Sequence, residues 1–252
     1  MKKLLLIGCL ILVTACQSSS EAQTATPTPA PALSSTATLP PTPISFTVTP
    51  EPTATLALSP TPFPRFFTDE FDSSLASWVI LQAGNESVPN IKTENSNFIL
   101  QMDSPFSWLY AVYSAQDYAN VRIDAQFTNQ AGSPSSMGLI CRYSEENGWF
   151  EYNVSTDGTY NLLYGSWLSV GIADYLPILS ASSNMIQPSG APQLIGLTCS
   201  DTALTLYIND TIIRNADVTN YGLIEGKVGV TASSFENTPV VVALERVIVS
   251  EP

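Results

Sequence analysis

Histidine is absent from all 252 residues. Its absence removes Ser-His-Asp and Cys-His catalysis, histidine general bases and histidine metal ligands from this chain. Basic residues are scarce as well, nine against 22 acidic ones, for a net charge of −13. That balance argues against binding nucleic acid or an anionic membrane surface through charge alone. Carboxylate chemistry and calcium sites built from oxygen ligands survive these exclusions. Cysteine is limited to four residues, two of them within the first 16.

What is present begins with a leader. Residues 1–16 place two lysines before an apolar run from Leu4 to Val13 and end in Val13-Thr14-Ala15-Cys16. This is the layout of a secretory signal, too short and wrongly flanked for a stable membrane span. Its end resembles a bacterial lipobox, which implies cleavage before Cys16 and diacylation of that cysteine. The alternative is an ordinary cleaved signal with an incidental cysteine. Lipidation would make the protein membrane-anchored rather than membrane-spanning, exported, and held to the cell membrane by lipid alone.

Residues 17–64 repeat Thr-Pro and Ser-Pro steps, as in Thr26-Pro27-Thr28-Pro29 and Ser59-Pro60-Thr61-Pro62, with little charge and few aromatics. Such a segment buries too little apolar surface to fold, and its prolines favour extended polyproline II. At about 3.1 Å per residue it reaches on the order of 100 Å, enough for a disordered stalk.

From residue 65 to 252 the pattern becomes that of many short strands. Val121, Ile123, Ala125 and Phe127 alternate with Arg122, Asp124 and Gln126. Further strands are expected over Trp78–Leu81, Asn97–Met102, Phe106–Tyr113, Gln193–Ser200, Ala203–Ile208, Thr211–Asn215, Lys227–Ala232 and Val240–Val249. Residues 165–192, with Pro177 and Pro188, are expected to be irregular. No amphipathic helix interrupts the series, so the class is an all-β sandwich or barrel.

The centre of the domain is the stretch Met137 to Tyr164, three antiparallel strands joined by two turns. A three-residue turn Thr156-Asp157-Gly158 brings Val154 level with Tyr160 and Tyr152 level with Leu162, apolar against apolar. A turn over Glu145-Glu146-Asn147-Gly148 would pair Ser144 with Trp149 and set Arg142 opposite Glu151 on a polar outer face. Cys141 and Cys199 each fall in phase with apolar neighbours. In an exported chain this pair is expected to form a disulfide, two unrelated buried thiols being the alternative.

The runs G-L-I-C-R-Y…W-F-E-Y-N-V-S-T-D-G-T-Y, L-T-C-S…L-T-L-Y-I-N-D and D-V-T-N-Y-G-L-I-E-G-K-V-G-V resemble the concanavalin A-like lectin/glucanase sandwich. The likeness is to its laminin-G-like and 3-keto-disaccharide hydrolase-like branches and covers most of residues 66–250. It implies a jelly roll of two antiparallel sheets with the first and last strands adjacent. Glucanases of this fold carry a Glu-x-Asp-x-(x)-Glu pattern that is missing here, and a Glu151 paired with Arg142 would be a poor general acid.

A non-catalytic role is therefore expected, binding a glycan or cell-surface polysaccharide. Arg142, Trp149, Glu151 and Asn153 would form an exposed polar face with a stacking indole, joined by Trp167 and Tyr175 from the following loop. The alternatives at this face are an edge-capping tryptophan, an ordinary surface ion pair, and loop aromatics packed on the core. Asp69 and Asp72, beside Glu70, are candidate ligands for a structural Ca2+, against the alternative of a solvated acidic turn. A sugar-processing hydrolase and a structural module that binds another surface protein remain as rival functions.

Overall fold

The computed structural model describes residues 64–252. The expected leader, its lipidation residue Cys16 and the stalk up to residue 63 lie outside the described residues. The strands form two antiparallel sheets. The first contains β1 (Phe67–Asp69), β3 (Asn90–Glu94), β4 (Asn97–Met102), β6 (Val121–Asn129), β11 (Pro192–Ser200), β12 (Ala203–Ile208), β13 (Thr211–Asp217) and β15 (Val240–Ser250). The second contains β2 (Trp78–Gly84), β5 (Ser107–Tyr113), β7 (Ser135–Ser144), β8 (Gly148–Ser155), β9 (Thr159–Ser169), β10 (Ile172–Ser182) and β14 (Lys227–Ser234).

The first sheet runs β13-β12-β11-β6-β15-β4-β3, with β1 added beside β15; the second runs β10-β9-β8-β7-β14-β5-β2. The first and last strands are thus adjacent, Phe67 level with Val249. The core between the sheets is filled by alternate residues of every central strand, among them Phe98, Leu100, Leu109, Ile123, Phe127, Leu139, Phe150, Tyr152, Leu197 and Val230. Cys141 of β7 and Cys199 of β11 are disulfide-bonded inside it, stapling one sheet to the other. Core, sheets and disulfide belong to one compact unit of the chain.

Two expectations fail here for local reasons. The stretch 165–192 is not a long irregular region. β9 continues to Ser169 and β10 returns antiparallel beside it, with Pro177 at a register shift. Since β10 is an edge strand, the missing proline N–H removes no ladder bond that the sheet needs. The second failure is the register before Trp149. Cys141 is level with Phe150 and Ser144 with Gly148, so Arg142 and Tyr143 face a single residue of β8. That is a bulge, with Arg142 in the left-handed region at φ 54. Glu151 is therefore level with Ile140, not with Arg142. The turn Thr156-Asp157-Gly158, by contrast, gives the expected pairs Val154–Tyr160 and Tyr152–Leu162, with Gly158 at φ 90.

Candidate ligand-binding face

In the seven-strand sheet, adjacent strands are about 4.8 Å apart, so laid flat β2 and β10 would be separated by about 29 Å. Instead the N–H of Gly84 in β2 donates to the carbonyl of Gly171, at the β9–β10 turn, over 3.2 Å. The sheet curls until its two edges meet at one end, and its outer face becomes a trough. That trough is not open. Trp149, Tyr110, Tyr143, Ile140, Val112 and Ala83 are buried in it as a second apolar cluster, flanked by half-buried Leu81, Trp108, Trp167, Ala173 and Tyr175. Trp149 meets Tyr110 edge-on at 5.7 Å and Trp167 at 5.1 Å between ring centroids.

Backbone spacing makes room for this cluster. Trp149 stands level with Gly165, where a Cβ would approach the indole to 2.5 Å, so only glycine lets the ring lie on β9. Gly138 does the same for Asn153 and Thr231, whose side-chain oxygens would be 2.1 and 2.4 Å from a Cβ there. The bulge after Cys141 turns Tyr143 out of the core phase and into the trough, where Trp167 Nε1 donates to its hydroxyl over 3.0 Å.

Glu151 lies at the bottom, 1% exposed. Its Oε2 accepts from Trp149 Nε1 at 2.8 Å and from the Tyr175 hydroxyl at 2.8 Å, and its Oε1 accepts from Asn153 Nδ2 at 2.9 Å. With the Tyr175 proton used on Glu151, the Tyr110 hydroxyl donates to Tyr175 across 2.6 Å. Thr231 Oγ1 donates to Asn153 Oδ1, closing the network at its other end. Burial pushes the Glu151 carboxyl above the usual carboxylate range, against the lowering pull of its donors. Burial likewise raises the phenols of Tyr110 and Tyr175, with the Glu151 charge adding to it.

The expected site residues are thus divided. Trp149, Glu151, Asn153, Trp167 and Tyr175 are brought together. Trp149 and Glu151 are sealed below the surface, and Asn153 is 8% exposed. Arg142 leaves the group altogether. It is 1% exposed, with its guanidinium donating to the carbonyls of Leu223 (2.7 Å) and Ala119 (3.1 Å). Burial lowers its pKa, and its Nε has no partner among the described residues. The Arg142–Glu151 pair does not exist, and the low carboxyl pKa expected from it is replaced by a raised one. Asp69 accepts from the Phe71 N–H and from Trp78 Nε1, at 2.9 and 2.8 Å, which fixes the passage from β1 to β2. Asp72 is exposed, and among the described residues no group of three acidic or cysteine side chains converges on a common point suited to a metal ion.

Tyr110, Tyr143, Trp108 and Thr231 were missed as members of this face. A signal for the first was present. β5 reads Ser-Trp-Leu-Tyr-Ala-Val-Tyr without alternation, which is how a strand covered on both faces reads.

Above the sealed cluster two hollows remain, one on each side of the Gly84–Gly171 contact. The larger, about 320 Å3, is lined by Ile80, Leu81, Tyr143, Trp167 and Val170, with Gln82, Glu145 and Ser169 at its polar edge. The smaller, about 210 Å3, lies against Trp108, Tyr110, Ile172 and Tyr175.

The architecture has clear counterparts among solved structures. A β-glucanase of Bacillus licheniformis superposes at TM-score 0.53 with 10% identity, over 75% of this chain and 99% of the other. The fold is the concanavalin A-like sandwich. A β-1,3-1,4-glucanase from a mouse hindgut metagenome matches this sandwich at TM-score 0.54, 8% identity, 74% and 99% coverage. The exoplasmic/lumenal domain of VIP36, in its Ca2+/Man3GlcNAc-bound form, matches at TM-score 0.52, 8% identity, 73% and 88% coverage. No family model matches the sequence, and neither does any curated protein. At such identities the shared property is the concanavalin A-like fold.

Proposed function

We propose that residues 65–252 are a non-catalytic glycan-binding module, presented on the Thr/Pro stalk of an exported, lipid-anchored surface protein. The observation that carries this is the larger hollow. At about 320 Å3 it is roomy enough for a sugar ring, with an aromatic wall from half-buried Trp167 and buried Tyr143 and hydrogen-bonding groups on Gln82, Glu145 and Ser169 in its lining. Apolar walls with a few placed polar groups are the usual composition of a small-ligand site. The sealing of Glu151 argues against catalysis, since both its oxygens are occupied by protein donors and neither reaches the hollow.

The ligand role moves, accordingly, from Trp149 and Arg142 to Trp167, Tyr143 and Glu145. The test is a glycan array followed by titration calorimetry on oxidised residues 64–252, with and without calcium. Glu145 is exposed and holds nothing in place. Loss of a charge-assisted hydrogen bond in Glu145→Gln is therefore expected to weaken binding about tenfold at constant melting temperature. Saturable binding insensitive to Glu145→Gln and to Ser169→Ala, or no binding to any glycan, sinks the proposal.

A further inference from the structure

The tip of the β9–β10 hairpin is apolar and uncovered. From Gly158 to Ala173 the chain has no charged residue. Leu168, Val170 and Ile172 are 69%, 101% and 56% exposed. Phe106 joins them at the same end. Its carbonyl accepts from the N–H of Asn85, the residue after the Gly84 that bonds Gly171. Phe106 is itself 50% exposed and sits at φ 56, a left-handed conformation that a bulky residue adopts only when its surroundings impose it. The chain enters the domain at the opposite end of β2, where Phe67 stacks on Tyr113 and Asp69 holds Trp78, about 20 Å away along the strand. Among the described residues, nothing in the path of the main chain crowds the tip.

We propose that this tip inserts into an uncharged lipid surface. The four side chains offer on the order of 500 Å2, the size of a functional apolar patch but well short of the ~800 Å2 per partner that a stable protein pair buries. A second copy is further disfavoured because each chain has a charge of −13, and the same charge directs the tip to zwitterionic rather than anionic lipid. The patch is a projecting turn, a shape that a fluid interface accommodates. Half-buried Trp167, next to Leu168 and with its N–H satisfied by Tyr143, has the amphipathic character of interfacial tryptophans. Insertion to a depth of about 5–10 Å would cover the four side chains.

The probe is co-sedimentation of oxidised residues 64–252 with phosphatidylcholine vesicles, compared with Leu168→Asp and Phe106→Asn. Neither residue lines either hollow, and asparagine accepts the backbone angle of Phe106. The expected result is measurable partitioning that persists in 0.5 M salt, reduced at least tenfold by Leu168→Asp and severalfold by Phe106→Asn, with unchanged melting temperatures. No partitioning, partitioning equal in the variants, or partitioning lost in salt overturns the proposal. So does lipid-free self-association that Leu168→Asp abolishes. Glycan affinity is read separately: its loss in a variant bears on the sugar site, and a wild-type domain that binds glycan without binding vesicles overturns insertion alone.

Discussion

Replacing Trp149 separates a sugar platform from a packing element. Its indole is fully buried, contacts Tyr110, Tyr143, Trp167 and Tyr175, and donates to Glu151. Truncation of a buried tryptophan to alanine costs about 3–5 kcal/mol. For a domain of this size each kcal/mol moves the melting temperature by about 2–4 °C, so Trp149→Ala is expected to melt about 6–20 °C lower. Trp149→Phe keeps most of the ring volume but leaves Glu151 Oε2 with Tyr175 as its one donor. Its cost is that of one lost hydrogen bond to a buried acceptor, about 1–3 kcal/mol. Differential scanning calorimetry of the oxidised domain, with near-ultraviolet circular dichroism to follow the aromatic cluster, measures both. Glycan affinity, taken well below the transition, should stay within about twofold of wild type in Trp149→Phe. A Trp149→Ala protein that melts within 2 °C of wild type yet loses its glycan affinity would refute the placement of the indole.

Glu151→Gln addresses the raised carboxyl. The folded protein binds the Glu151 proton more tightly than the unfolded chain does, so between the ordinary value of 4.5 and the raised folded one, falling pH adds stability. Above that window the penalty of a buried charge is complete. Melting curves from pH 4 to 8 should show the stability of Glu151→Gln, relative to wild type, declining as pH falls; a relative gain toward acid would contradict the raised value. Arg142→Ala removes the donors to two carbonyls and leaves a cavity, for an expected loss of about 2–5 kcal/mol in denaturant unfolding without a change in glycan affinity. A surface pair, as the sequence alone suggested, would lose less than about 1 kcal/mol.

Alternation and turn chemistry carried the sequence a long way. The phase of Val121 to Phe127, the Asp157-Gly158 turn and the cysteines in apolar phase lead directly to β6, the β8–β9 register and the inter-sheet disulfide. The site was harder because one bulge shifts the period. Bulges of this geometry are usually marked by glycine, but here the left-handed residue is Arg142, so nothing local announces that Tyr143 changes face. The curl of the sheet was equally hidden, since it arises from strands distant in sequence and turns a nominally outer face into a second interior. Glu151 and Asn153 look like solvent-facing groups in the pattern because alternation reports polarity, and a satisfied polar network is polar wherever it lies. Pro177 misled in the other direction, suggesting a break where an edge strand tolerates it.

The meeting of Gly84 and Gly171 has a consequence for how the domain behaves at high concentration. An open seven-strand sheet ends in two rows of unpaired backbone groups, each a template on which another chain can add a strand. Here the curl turns the two ends of the sheet toward each other, and β10, the longer of them, is further broken by Pro177 and its register shift. The same curvature that shelters the aromatic cluster therefore hinders strand addition by neighbouring molecules at the end where the two edges meet.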